Sequence, residues 1–443
     1  MAVTGLSEAP PLLAPAPLSS ASQGALLALR SLAGADWRGG DIDASRLLGE
    51  RAAIFGFGRQ GSISPGGSCR LIRTADGWLA INLARESDRE MVAAWLEIQL
   101  TGADLWSQVE TRLASRTAEW AVARGRLMGL PVAPAGELDE AGATGALGAV
   151  GFDDRQSKSW LEITPGTRGS KPQRKATPVV LDLSSLWAGP LCAQLLAFAG
   201  ARVIKLESLE RPDGARAGPS QFFDLMNAGK QSVALEFNSA GGRATLEQLL
   251  ERVDIVIESA RPRALSQLGI IAEEWVARRS GLTWVSITGY GRRDPEASWV
   301  AFGDDAGVAA GLSIATASYN RRFHEGALPA IFCGDAIADP LTGMHAAVAA
   351  LASWQGDESR LLDVSLCSVV QHLLGPANNA WDATPAGASE PVCIEPVDGD
   401  RWQVRIGDEA RLVEPPFARK SVRAAATLGA HTGAVLASLG VQA

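Results

Sequence analysis

The stretch VLDLSSLWAGPLCAQLLAFAGARVIKLE, residues 180–207, reads as strand, turn, helix and second strand. The β-branched runs Val179–Leu183 and Arg202–Leu206 bracket an apolar segment that Pro190 opens. Proline suits a first helical turn, because the N–H it lacks would have no intrahelical acceptor there. The alternation continues through Ser232–Glu236, Asp254–Glu258 and Thr283–Thr288, with helical segments between most of them. One of these helices, Ser239–Arg252, has Ser239 as its N-cap. Strands alternating with helices at roughly 25-residue intervals predict a parallel sheet covered by helices. The first strand-to-helix turn lacks GxGxxG, so nothing there marks a dinucleotide site.

Outward from this core, the chain divides into four parts. Residues 1–24, rich in Pro and Ser, read as a mobile leader. With no Lys or Arg before Arg30, the start is unlike a signal peptide. Residues 25–150 read as a small α+β domain. There, Cys69–Thr74 and Trp78–Leu83 form a hairpin about Ala75-Asp76-Gly77. Ser87 and Glu90 suggest a capping box before Met91, Trp95 and Ile98. A second helix spans about Thr117–Met128, stopped by Gly129 and Pro131. Residues 151–177 carry Arg155, Lys158, Arg168, Lys171, Arg174 and Lys175 and read as a basic linker, solvated or touching a ligand phosphate. Residues 178–443 make the large α/β domain and its tail, where Arg401–Ile406 and Ala410–Val413 form another hairpin.

Composition narrows the function. The 443 residues exceed one ordinary core, and 47% apolar with 20% charged residues is globular. A net charge of −8 argues against a nucleic-acid coat but leaves room for a small anion on a local basic patch. The uncharged run Ser184–Ala201 contains Ser, Gly, Pro and Gln, unlike a membrane span, so a cytoplasmic protein is expected. Cys69, Cys192, Cys333, Cys367 and Cys393 form no CxxC pair, and His324, His345, His372 and His431 no HExxH. No metal is therefore expected, and buried reduced thiols are expected at Cys192, Cys333 and Cys367.

Candidate ligand residues gather at strand ends. Gly189 permits close backbone approach, or merely a tight turn. Lys230 follows Asn227-Ala-Gly before a strand, which is weak as a phosphate signal. Arg261-Pro262-Arg263 follows the strand ending at Glu258, either as a ligand contact or as a solvated turn. Tyr290, between Gly289 and Gly291, could turn its phenol to a ligand. Asp339 opens an Ala-rich helix, either as an N-cap or as a nucleophile on an activated acyl group. His345 falls off the face of Asp339 and reads as packing.

Six blocks in one order resemble the class III CoA-transferases, which include formyl-CoA transferase, carnitine CoA-transferase and alpha-methylacyl-CoA racemase. They are residues 180–207, NAGKQSVALEF (227–237), DIVIESARPRALSQLGI (254–270), SITGYG (286–291), IADPLTGMHAAVAAL (337–351) and LLDVSLCSVV (361–370). The tail LGAHTGAVLASLGV resembles the family's closing helix. CRLIRTADGWLAINL (69–83) and RTAEWAVARGRLMGLPVAP (116–134) resemble its small domain, here placed first as if permuted. The resemblance implies a Rossmann-like large domain and a homodimer, possibly interlocked, acting on acyl-CoA and a carboxylic acid. Asp339, three residues before Thr342-Gly343, matches the catalytic aspartate that carries anhydride and aspartyl-CoA intermediates. Tyr290, Gly291, Trp187, Asp304 and the Gly66-Gly67 turn would line the acyl site. Ala188, Gly189, Lys230, Arg261 and Arg211 would line CoA. Trp187 stands where formyl-CoA transferase has Gln, which speaks against formate or oxalate. Gly303-Asp304-Asp305 lacks the racemase histidine, although Asp304 could still serve a racemase as second acid/base. The alternatives are an acyl-CoA racemase and a non-catalytic acyl-CoA-binding homologue.

Overall fold

A computed structural model describes residues 1–102, 104–136, 159–168, 177–321, 328–378, 392–399 and 401–442. The strands are β1 (Cys69–Arg73), β2 (Trp78–Asn82), β3 (Val132–Gly136), β4 (Glu162–Arg168), β5 (Val179–Asp182), β6 (Arg202–Ser208), β7 (Gln231–Leu235), β8 (Ile255–Glu258), β9 (Thr283–Thr288), β10 (Glu358–Ser365), β11 (Val392–Pro396), β12 (Trp402–Ile406) and β13 (Glu409–Leu412). The central sheet runs β4-β10-β9-β8-β5-β6-β7. Its strands pair in parallel except for β4, which lies antiparallel on β10. The expected α/β architecture is therefore present, with small antiparallel sheets β1-β2-β3 and β11-β12-β13 beside it.

Both faces of the central sheet are buried, as parallel strands require. Successive side chains point to opposite faces. Val180, Ile255, Ile257, Val285, Ile287 and Val364 enter one core. Leu181, Val256, Trp284 and Leu361 enter the other, which also holds Leu246, Leu249, Val435 and Leu436. The small sheet obeys the same rule. Cys69, Leu71 and Ala80 join the main core, while Ile72, Leu79 and Ile81 pack with Val92, Trp95 and Val109 in a core of their own. One continuous core thus joins the N-terminal residues to the large sheet.

Several local expectations change. Residues 1–24 are packed chain rather than a free leader. Leu12 is buried, Thr4 Oγ1 accepts the Gly334 N–H at 3.0 Å, and the helix Leu18–Ala33 starts within that span. The basic linker contains β4, whose Pro165 is tolerated on an edge strand. Arg168 pairs there with Glu358, and the linker's other five cations lie outside the described residues, as does His324. The expected capping box shifts: the helix Glu86–Glu90 is capped through Asp88, which accepts the Arg85 N–H at 3.0 Å. Ser239 does cap its helix, accepting from Gly242, and Thr117 caps the helix Ala118–Leu127 by accepting from Trp120. The free edge of β7 is covered by the tail, where Ser232 N–H donates to His431 Nδ1 at 3.0 Å and Ala234 N–H to Thr432 Oγ1 at 3.2 Å. Cys192, Cys333 and Cys367 are buried thiols.

The helix Ala338–Gln355 crosses the helix Ala188–Phe198 at Gly343. A Cβ at Gly343 would stand 2.6 Å from the Ala188 carbonyl oxygen. Gly343→Val is expected to cost about 1–3 kcal/mol, the usual price of overpacking. A urea midpoint equal to wild type would contradict this close contact.

Candidate active site

Asp339 lies in the first turn of the helix Ala338–Gln355, but it is not the N-cap. That position is Ile337, which makes no side-chain cap. The Asp339 carboxylate instead faces the backbone N–H groups of Ala188 and Gly303, each at the start of another helix, and these favour its charged form. Gly303 has to be glycine, because a Cβ there would collide with Asp339 Oδ2 and the Ala336 carbonyl. Burial pushes the Asp339 carboxyl up to about 7, Arg51 pulls it down, and Asp304 pushes it up.

Three more acids crowd the site. Asp304 Oδ1 accepts the Ala336 N–H at 2.8 Å, and its carboxyl is raised by burial against the pull of Arg51, the Ala336 N–H and the Ser64 hydroxyl. Asp335 Oδ1 pairs with Arg51 Nη1 at 2.8 Å. Burial, together with Asp304 and Asp339, still lifts Asp335 to about 7. Asp305 Oδ1 accepts from Asn82 Nδ2 and from the Phe302 N–H, both at 3.0 Å, and burial lifts it to about 7. The sequence shows Asp305 and Asp335 only as neighbours of singled-out residues. Arg51, Ser64 and Asn82 carry no local signal at all, since they arrive from the N-terminal unit through the fold.

The other expected site residues divide. Gly66 reaches the site: a Cβ on it would meet Arg51 Nη2 at 2.9 Å. Gly67, at φ +78°, closes a turn whose N–H is already bonded to Ser64 O at 2.7 Å, so that donor is not free for an oxyanion. The Ala188 N–H faces Asp339. Gly189 serves packing, since a Cβ there would collide with the Ser184 side chain. Trp187 is buried edge-on to Phe222, and its Nε1 has no partner among the described residues. Tyr290 is buried beside Arg126 and Trp299, and burial and Asp305 raise its hydroxyl. Gly291, at φ +116°, donates its N–H to Thr288 Oγ1 at 2.8 Å. Tyr290 and Gly291 also border a small polar cavity of about 40 Å³ with Arg292 and Asp363. His345 packs on Trp160.

Lys230 corrects the expectation most sharply. Its ammonium is buried, 2.8 Å from Asp182 Oδ2, 2.9 Å from Pro190 O and 3.0 Å from Asn227 Oδ1. All three donors are used inside the fold, so none is free for a phosphate. Arg261 is half-buried after β8, and its guanidinium is pushed down by burial and by Arg263, Arg85 and Arg211. The fold thus brings together Arg211 and Arg261, which lie far apart in the sequence.

Two measurements check this account. Lys230→Met leaves Asp182 buried without its cation and is expected to cost about 3–5 kcal/mol. A loss under about 1 kcal/mol in denaturant titration would contradict the buried pair. Asp305 rises from 3.8 unfolded to about 7 folded. The folded state therefore keeps a proton that the unfolded chain loses in that window, and stability falls as pH rises through it. Asp305→Asn should gain stability relative to wild type from pH 4 to 7 and stay level above. Parallel pH–stability curves would show that Asp305 ionises normally.

Residues 178–391 match the family model described as CoA-transferase family III. The succinyl-CoA–D-citramalate CoA-transferase of Chloroflexus aurantiacus is 30% identical over 191 residues, 41% of this chain and 46% of that protein. The formyl-CoA:oxalate CoA-transferase of Escherichia coli O6:H1 is 30% identical over 181 residues, 39% of this chain and 42% of that one. An acyl-CoA transferase of Fusarium pseudograminearum is 28% identical over 252 residues, 53% of each chain. The chain spans about half the length of the curated relatives it matches. A crystal structure of a CAIB/BAIF family protein from Brucella suis is similar with TM-score 0.43 and 24% identity, over 52% of this chain and 65% of that one. The similarity to CoA-transferase family III therefore rests on residues 178–391, a little under half of the chain.

Proposed function

We propose that this protein moves CoA from an acyl-CoA thioester to a carboxylic acid, with Asp339 as nucleophile. The observation that carries the reading is the Asp339 carboxylate itself, inside the matched segment, facing the N–H groups of Ala188 and Gly303 and the Arg51 guanidinium. A carboxyl titrating near 7 is substantially ionised at neutral pH, as a nucleophile needs.

In the proposed sequence, an Asp339 oxygen attacks the thioester carbonyl carbon and the C–S bond breaks. This leaves a mixed anhydride and CoA thiolate. The thiolate attacks the Asp339 carbonyl of the anhydride and releases the first carboxylate. The aspartyl-CoA thioester is then attacked by the acceptor carboxylate, giving a second anhydride and thiolate. Thiolate attack on the acceptor's acyl carbon yields the new thioester and frees Asp339. Each anhydride keeps the activation of the thioester, so no outside energy source enters.

CoA is polyanionic, and the cluster of Arg261, Arg263, Arg211 and Arg85 fits its phosphates. These guanidiniums repel one another, and an anion between them relieves the repulsion. Among the described residues no helix is long and apolar enough to cross a membrane. We carry forward a homodimer, a permuted small domain and the division at residues 25–150 and 178–443 as parts of the proposal. A racemase would need Asp304 as a proton carrier opposite Asp339. Asp304 instead accepts the Ala336 N–H at 2.8 Å, which suits a loop anchor better.

Incubation with an acyl-CoA and hydroxylamine is expected to convert Asp339 to a hydroxamate, found by peptide mass. Asp339→Asn should lose transfer by at least about 1,000-fold, the scale on which a covalent nucleophile counts. Wild-type transfer in that variant would end the reading. Exchange of an α-proton without an adduct would favour the racemase.

A further inference from the structure

Arg51 belongs to the helix Glu50–Phe55, far outside the family segment. Its guanidinium is built into place. The ring of Phe55 lies 5.7 Å from it and that of Phe57 5.4 Å, both within cation–π range. Gly66 lets the chain pass close to Nη2 where any Cβ would crowd it. The helix is tied at its first residue, because the buried Glu50 carboxylate pairs with Arg419 Nη2 at 2.9 Å. The side chain thus has little freedom, and it delivers Nη1 to Asp335 at 2.8 Å.

Among the described residues, Arg51 is the one cation that acts on Asp304, Asp335 and Asp339 together. The groups facing Asp339 are Asp304 and the Gly303 N–H from one helix, Asp335 from the preceding loop, the Ala188 N–H from the crossing helix, and Arg51. Asp305 stands behind Asp304, facing Asn82. Three acids confined around one guanidinium cannot all ionise without mutual repulsion. The position of that guanidinium therefore decides which of them carries charge.

We propose that Arg51 is a positioning residue of the transfer site: it fixes Asp335 and supplies the positive charge against which Asp339 works, so that the N-terminal unit completes a site the family segment alone leaves unfinished. This inference rests on Asp339 being the nucleophile.

The test titrates Asp339 directly, by carboxyl carbon-13 NMR with Asp339→Asn supplying the assignment. Arg51→Gln is expected to raise the Asp339 midpoint by about 1–3 pH units, the usual effect of removing an adjacent opposite charge. The acid limb of the pH–kcat/KM profile should move by the same amount, about tenfold in rate per unit on that limb. Arg51→Lys should restore most of the midpoint. Asp335→Asn removes a competing acid and should lower it, and this variant keeps the test open should Arg51→Gln fail to fold. An unmoved Asp339 midpoint in folded Arg51→Gln or in Asp335→Asn would overturn the inference and leave the transfer reading intact. A shifted midpoint in a protein without transfer activity would uphold the electrostatic coupling and reject the transfer role assigned to it.

Discussion

A carboxylate withdrawn from water must be met by donors, or it takes up a proton. At Asp339 the backbone N–H groups of Ala188 and Gly303 face the carboxylate and favour its charge. Backbone donors cannot reach out as side chains do, so the helices that carry them must approach closely. Gly343 allows the helix Ala338–Gln355 onto the Ala188 carbonyl, and Gly303 allows its own chain onto Asp339. The apolar packing around these contacts, from Leu191, Ala306, Leu341 and Ala346, belongs to the same core as the sheet face bearing Val180 and Ile257. The chemistry of the site and the packing of the fold are thus one constraint.

The loop from β5 to the Ala188 helix shows how far the protein goes to hold those donors. Asp182 at the strand end is bonded to the Ser184 hydroxyl and paired with Lys230, while Lys205 Nζ donates to Ser184 O at 2.8 Å and pairs with Asp213 at 2.9 Å. Asp213 in turn accepts the N–H of Leu186, which sits at φ +70° although it is not glycine. Such a backbone is strained and persists only where its surroundings fix it. Two buried lysines pin the loop that leads to Ala188, beside Asp339. Lys230, which reads as a phosphate ligand in one dimension, is together with Lys205 part of the frame.

Legibility in the sequence followed the range of the force involved. Thr283–Thr288 appeared at its full length, and Ser239 acted as the expected cap, because strand pattern and capping are local. β4 escaped because Pro165 and Gly166 argue against a strand, and only an edge position beside β10 makes room for them. The Ser87–Glu90 box failed because Arg85 and Asp88, also three residues apart, make the cap instead. The Pro- and Ser-rich start reads as free chain until Gly334, Asn320 and Arg59 are seen to hydrogen-bond to it.

By itself, the sequence determined the alternation of strands and helices, the two-sided burial of the sheet, the likeness of residues 178–391 to CoA-transferase family III, and Asp339 as the acid to watch. These follow from side-chain period and from motif spacing, which are properties of neighbouring residues. The tertiary structure alone decided what surrounds that acid. It placed Asp304 and Asp335 beside Asp339, spent Lys230 on Asp182, gathered Arg211 with Arg261, and carried Arg51 across 284 residues of sequence to Asp335. Charge acts through space, and the spacing of charges in a chain does not reveal which of them the fold will bring together.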